Sequence, residues 1–212
     1  VEGSETVDLL LKEGIEAKSY ICDISDMSAV TSAVEQVKAD FGKVDILVNN
    51  ASILETVGFF NKIPEKDWNR DIQVNLIGSA NVTRAVWPMM MENKWGRVLF
   101  MSSIAGTMGG AGQTSYAATK AAVIGLGKSL ALEGARSNIT VNMIAPGVIE
   151  TAATKDFIRD DMMERMKNRA ALRRLGKPEE IANTITYLCS DQASFITGQV
   201  MQVDGGSGLF TF

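Results

Sequence analysis

Apolar positions along the chain follow two spacings. Short apolar, β-branched runs read as strands: Lys18–Cys22 (KSYIC), Val44–Val48 (VDILV), Arg97–Met101 (RVLFM), Thr140–Ile144 (TVNMI) and Val200–Val203. Between them the spacing turns helical. Val30, Val34, Val37 and Phe41 recur at intervals of four, three and four, which predicts a helix with one buried face. Asp23-Ile24-Ser25-Asp26 opens it and Gly42 stops it. Further helical patterns cover Thr6–Leu11 (ending near Gly14), Glu65–Met91, Ser115–Glu133, Phe157–Arg169 and Pro178–Leu188. A glycine-rich loop is expected from Gly106 to Gly112.

Strands separated by helices of this length imply βαβ units, a parallel sheet and helices on both faces. The expectation is one α/β domain over residues 1–212, Rossmann-like and doubly wound. In such a sheet ligands bind beyond the carboxyl ends of the strands. Those ends carry Asp23-Ile24, Asn49 to Ser52, Ser102-Ser103, Pro146 to Thr151 and Asp204 to Gly206, all rich in small and polar residues.

Composition narrows the chemistry. The chain has 212 residues, a formal net charge of −4 and 46% hydrophobic residues, the profile of a soluble globular protein. Mild acidity gives no electrostatic reason to expect nucleic acid or an anionic membrane as partner. No apolar run reaches the roughly 20 residues needed to span a bilayer, and no basic, apolar leader opens the chain. Cys22 and Cys189 stand far apart, which argues against a disulfide scaffold or a cysteine zinc site and fits the reducing cytoplasm. The absence of histidine matters most. It removes a Ser-His-Asp triad, a Cys-His pair and any histidine-ligated metal, so no metal site is expected. Acid–base work near neutral pH falls to a shifted Asp, Glu, Lys, Tyr or Cys.

Tyr116 and Lys120 lie four apart on a predicted helix and share a face. A phenol is a poor acid–base group at pH 7, and a nearby ammonium is expected to lower its pKa. Ser103 follows a strand, where its hydroxyl can donate to a substrate carbonyl, with Ser102 as its rival. Other readings are open for several positions: Asp23 as a helix cap alongside Ser25 and Asp26, Asn75 as a cap or kink, and Pro146-Gly147 as a simple turn.

Several ordered motifs add to these residues. Ser103 stands thirteen residues before Tyr116-x-x-x-Lys120, Asn49-Asn50-Ala51-Ser52 and Asn75 lie upstream, and Pro146 to Thr151 and Val203-Asp204-Gly205-Gly206 lie downstream. In this the chain resembles the short-chain dehydrogenase/reductase family over its whole length. Within that family it is most similar to the 3-oxoacyl-[acyl-carrier-protein] reductases, through Gly106 to Gly109, Gly112-Gln113, Tyr116 to Ala118, Val123 to Gly125 and Pro146 to Thr151. The resemblance implies reduction of a carbonyl to a secondary alcohol, with polyol or hydroxy-compound oxidation and an inactive scaffold as alternatives. It implies that Tyr116 is the general acid, that Lys120 lowers its pKa and holds the nicotinamide ribose, that Ser103 binds the substrate oxygen, and that Asn75 holds a water in a proton relay. It implies coenzyme contacts at Asp23, Ile24, Asn50, Ala51, Pro146, Gly147, Ile149 and Thr151. The cofactor implied is NADP or NAD, with NADP favoured. An acyl-thioester substrate is implied, with an acyl carrier protein as partner, for which Arg97 and Arg136 are basic candidates. A homotetramer is implied through the 65–91 helix and the helix of Tyr116.

Two departures from the family pattern stand out. Ser52 occupies a position that is usually glycine, adding a side chain where backbone approaches the coenzyme. The family's opening strand, Thr-Gly-x-x-x-Gly-x-Gly turn, helix and second strand, roughly 30 or more residues, do not occur in the chain. The expectation is therefore a longer native protein, with Lys18–Cys22 a strand that has lost its neighbours and Val44–Val48 left with an open edge.

Overall fold

A computed structural model describes residues 2–151 and 160–209. Its centre is a pair of buried parallel strands, β2 (Gly96–Met101) and β3 (Ile139–Pro146), in register at Val98↔Val141 and Phe100↔Met143. β1 (Ile46–Asn49) pairs with β2, and β4 (Val200–Val203) pairs with β3. The order is β1-β2-β3-β4 with every pair parallel.

Side chains alternate across a strand, so each strand supplies two cores. Val98, Phe100, Val141 and Met143 meet Val86 and Met90 of α4 (Ser79–Asn93) and Val123 and Ala131 of α6 (Thr114–Gly134). Leu99, Met101 and Ile144 meet Ile181 and Leu188 of α8 (Pro178–Cys189) on the opposite face. This is the doubly wound arrangement expected. α1 (Glu2–Lys12), α2 (Met27–Phe41), α3 (Glu65–Ile72), α5 (Ile104–Met108) and α7 (Asp160–Arg169) complete the described helices. Residues 157–159 of the expected 157–169 helix lie outside the described residues. No helix among the described residues is long and apolar enough to cross a membrane.

Several expectations are corrected. Lys18–Cys22 forms no ladder, and Ile21 is fully exposed. A strand needs a neighbouring backbone, and no described strand lies beside this one. The segment is tethered instead by its side chains, with the Tyr20 hydroxyl and Lys18 both 2.5 Å from the Asp40 carboxylate. On α2, which packs on α4, Val30 is buried but Phe41 at the last position is exposed, with the Lys18 ammonium 5.8 Å from its ring centre. Asp26 is the cap of α2, accepting from Ser28 N at 2.8 Å and Ala29 N at 3.3 Å. The expected 65–91 helix is broken into α3, a π-helical turn over Gln73–Gly78, and α4. The first part of the expected glycine loop is α5.

α5 lies against α6 at backbone contact. A Cβ on Gly106 would sit 2.6 Å from the Lys120 carbonyl carbon, 2.7 Å from its oxygen and 2.9 Å from Ala121 N. Backbone cannot swing aside as a long side chain can, so Gly106→Ala forces α5 and α6 apart. Overpacking of this kind costs about 1–3 kcal/mol. Urea unfolding of Gly106→Ala is expected to lose that much, and parent-like stability would mean the two helices are not in backbone contact.

Candidate active site

Because every strand points the same way, their carboxyl ends deliver Asn49 to Ser52, Ser102-Ser103, Pro146-Gly147 and Asp204 to one edge of the sheet. The two neighbouring serines separate there. Ser102 is buried and donates to the Lys120 carbonyl at 2.7 Å, tying β2 to α6. Ser103 caps α5, its Oγ accepting from Ala105 N at 3.1 Å. With a lone pair so engaged, the Ser103 O–H points its proton elsewhere, and the Tyr116 phenol is hydrogen-bonded by the hydroxyls of both Ser103 and Ser52. Ser52 thus reaches the phenol, a contact that a glycine at that position cannot make.

Burial pushes the Tyr116 phenol above its ordinary value; the two serine hydroxyls pull it down, and the Asp71 charge raises it further. This corrects the expectation of a lowered phenol. Lys120 is itself buried, and burial pulls its ammonium down to about 8. Its Nζ donates to the Met101 carbonyl at 2.7 Å and lies 5.4 Å from the centre of the Tyr116 ring. Loss of hydration on the phenol therefore outweighs the pull of the two serine hydroxyls.

Asn75 is buried in the π-helical turn. Its amide exchanges two hydrogen bonds with the Ile53 backbone, each 2.8 Å, and donates to Thr119 Oγ1 at 3.3 Å. The side chain is committed to holding the loop after β1. Its main-chain carbonyl accepts the Ser79 hydroxyl at 2.9 Å.

The residues expected to hold a coenzyme divide into two groups. Asn50 and Ala51 lie exposed just beyond β1. Asp23 accepts from the Ser25 backbone N–H at 2.9 Å and hydroxyl at 2.7 Å, and these bonds hold its carboxyl below the ordinary range. Asn81 of α4 donates to the Ile24 carbonyl at 3.1 Å, and the Ile24 side chain fills the space beside Gly78, where a Cβ would meet it at 2.6 Å. Across the edge, Gly147 packs so tightly on the Asp204 backbone that a Cβ would lie 2.8 Å from Asp204 Cα. Ile149 bridges Gly176, with Glu150 N donating to the Gly176 carbonyl at 2.8 Å. Thr151 is exposed at the end of this segment. A cleft of about 240 Å³ opens there between Gly147 to Ile149 and Gln202 to Gly206. Tyr116, Ser103 and Lys120 do not line it. The donor set fits a nicotinamide dinucleotide at its two ends: an ammonium and phenol for one ribose, and open backbone with a carboxylate for the other.

Arg97 and Arg136 are not at this edge. Arg97 is buried, donating to the carbonyls of Gly96 at 2.9 Å and Asn138 at 3.3 Å, with its guanidinium 4.4 Å from the Trp95 ring centre. It stands at the opposite end of β2 from Ser103. Arg136 is exposed, but it lies in the turn that feeds the opening end of β3. Asp71 was missed in the other direction. It is a buried carboxylate that accepts from Ser115 Oγ at 2.5 Å and from Glu55 N at 3.1 Å. The signal for it was its spacing, four residues from both Asp67 and Asn75.

Known proteins share this architecture and sequence. Residues 2–208 match the family described as enoyl-(acyl carrier protein) reductase. The 3-oxoacyl-[acyl-carrier-protein] reductase FabG of Thermotoga maritima is 42% identical over 206 residues, 95% of this chain and 83% of that one. The (2S)-[(R)-hydroxy(phenyl)methyl]succinyl-CoA dehydrogenase subunit BbsD of Thauera aromatica is 42% identical over 205 residues, 97% of this chain and 82% of that one. The crystal structure of an NAD+-bound xylitol dehydrogenase superposes with a TM-score of 0.91 at 29% identity, covering 96% of this chain and 84% of that one. With this fold, this edge of polar residues and these likenesses, the chain belongs to the short-chain dehydrogenase/reductase family and is an NAD(P)-dependent oxidoreductase.

Proposed function

We propose that the protein reduces the ketone of a 3-oxoacyl thioester to a secondary alcohol, with Tyr116 as proton donor. The observation that carries the proposal is the half-buried Tyr116 phenol, bonded by the Ser103 and Ser52 hydroxyls and one helical turn from the buried Lys120. When bound, the reduced nicotinamide supplies the hydride to the carbonyl carbon. Ser103 donates a hydrogen bond to the carbonyl oxygen and polarises it. Tyr116 gives its proton to that oxygen as negative charge develops there. Its raised pKa keeps it protonated at neutral pH, the form a reductase needs. Lys120 steadies the phenolate left behind and holds the ribose hydroxyls. Asn75 passes a proton back through a water on its carbonyl. Asp23, Ile24, Asn50 and Ala51 hold the adenosine end, and Pro146, Gly147, Ile149 and Thr151 the nicotinamide end. The substrate class follows the named thioester activities of the Thermotoga and Thauera relatives. NADPH is the proposed coenzyme, and the proposed working form is a cytoplasmic homotetramer built on α4 and α6. The thioester arrives on an acyl carrier protein or coenzyme A.

The likeness to xylitol dehydrogenase supports a second reading, polyol oxidation with NAD. Rates on acetoacetyl and longer 3-oxoacyl thioesters with NADPH and NADH, set against xylitol and other polyols with the oxidised coenzymes, separate the two. Thioester turnover well above polyol turnover is expected, and the reverse order would overturn the proposal.

Tyr116→Phe removes only the proton donor. Its kcat is expected to fall by about 10²–10⁴-fold, with coenzyme affinity nearly unchanged. Turnover close to the parent's would mean that another group delivers the proton.

Lys120 leaves a signature in stability. Its folded value of about 8 lies below the ordinary 10.5, so between those limits the unfolded chain keeps a proton that the folded one has released. Stability from this group therefore rises with pH across that window. The unfolding free energy of the parent, measured relative to Lys120→Met, is expected to climb from about pH 8 towards 10.5. A flat difference would mean that the ammonium is as well solvated folded as unfolded.

A further inference from the structure

Three side chains at four-residue intervals, Asp67, Asp71 and Asn75, project from α3 and the π-helical turn onto the loop after β1. Asp67 Oδ2 accepts the Thr56 hydroxyl at 2.5 Å, Asp71 Oδ1 accepts Glu55 N at 3.1 Å, and Asn75 grips both backbone groups of Ile53. The middle member differs from the other two. Asp71 is 1% exposed, and its second oxygen accepts Ser115 Oγ at 2.5 Å. Ser115 immediately precedes Tyr116 in the first turn of the 21-residue α6. One buried carboxylate therefore joins the loop that carries Ser52 to the helix that carries Tyr116.

We propose that Asp71 is a positioning residue for the proton donor, fixing the first turn of α6 against the 53–56 loop and keeping a negative charge beside the Tyr116 phenol. This rests on the reading of Tyr116 as proton donor. A buried carboxylate with no cationic partner among the described residues needs compensation, and the geometry supplies it. Two hydrogen bonds reach its oxygens, and the positive end of α6 lies at Ser115. Held there, Asp71 opposes ionisation of the phenol, so Tyr116 stays a donor rather than an acceptor. The groups facing the phenol are Lys120 on α6, Asp71 on α3, and the hydroxyls of Ser103 and Ser52. Asp67, one turn earlier, is bonded to Thr56, and the Glu55 side chain is exposed.

Asp71→Asn tests this, because an amide can keep both contacts while removing the charge. The chain has three tyrosines, Tyr20, Tyr116 and Tyr187. Ultraviolet difference titration against the matching Tyr116→Phe protein isolates the phenolate of Tyr116. Loss of a like charge is expected to bring that phenolate in at a pH lower by about one pH unit. The alkaline fall in reduction rate is expected to move down with it. The double variant Asp71→Val with Ser115→Ala removes the charge and its serine partner together, gives up only the Glu55 N–H contact, and covers failure of the Asn variant to fold. It should show the same shift. A Tyr116 titration unmoved from the parent, in whichever variant folds, would overturn the inference about Asp71 and leave the proton-donor reading intact. Parent-like turnover in Tyr116→Phe would instead sink that reading, and this inference with it, whatever the titration does.

Discussion

The parallel ladder between β2 and β3 is the constraint from which the rest of the molecule follows. Both strands are buried along almost their whole length, and their paired direction sends Ser103 and Pro146 to the same edge. Two separate cores form because alternate residues of these strands face opposite ways. One core seats α4 and α6, and the other seats α8. Tyr116 and Lys120 reach the active edge because the core residues Val123 and Ala131, one and three turns on, lock α6 against the sheet.

Polar contacts then do locally what the sheet does globally. Ser102 ties β2 to the Lys120 carbonyl, Lys120 returns a bond to Met101, and Gly106 lets α5 lie on the same turn of α6. On the other side, Asn75 and Asp71 hold the loop that carries Ser52. Most of these bonds are buried, so leaving one partner alone would carry the desolvation penalty of an unmatched group. The arrangement is stiff for that reason. Its stiffness keeps two serine hydroxyls on one phenol without a histidine in the chain.

Much of this was legible in the residue pattern. The expected strand Val200–Val203 has its observed limits, the expected helix Ser115–Glu133 is one residue short at each end, and Pro178–Leu188 is one residue short at its carboxyl end. Strong periodicity and clear caps explain that success. Failures came where the outcome depended on distant partners. Lys18–Cys22 has strand composition but no described strand beside it, and Phe41 has helical spacing but stays exposed beside the Lys18 ammonium. Arg97 is a basic candidate for an acidic partner, yet carbonyls at the base of the sheet, the Trp95 ring and the Asp191 carboxylate 3.8 Å away engage its guanidinium. The pairing of Tyr116 with Lys120 was visible in their spacing. The direction of the phenol's shift was not, because it depends on burial and on Asp71 from another helix.

The lowered ammonium of Lys120 also governs how the molecule exchanges protons with its solvent. Without histidine, the described side chains offer almost no buffering between the carboxylates and this one amine, which sits near 8. The charge on the described side chains is therefore nearly constant through neutrality. A ligand that settles beside Lys120 and strengthens its hold on a proton must draw that proton from the medium, against a background that is close to silent. In this molecule, proton uptake on ligand binding near pH 8 is a signal with essentially one described side chain behind it.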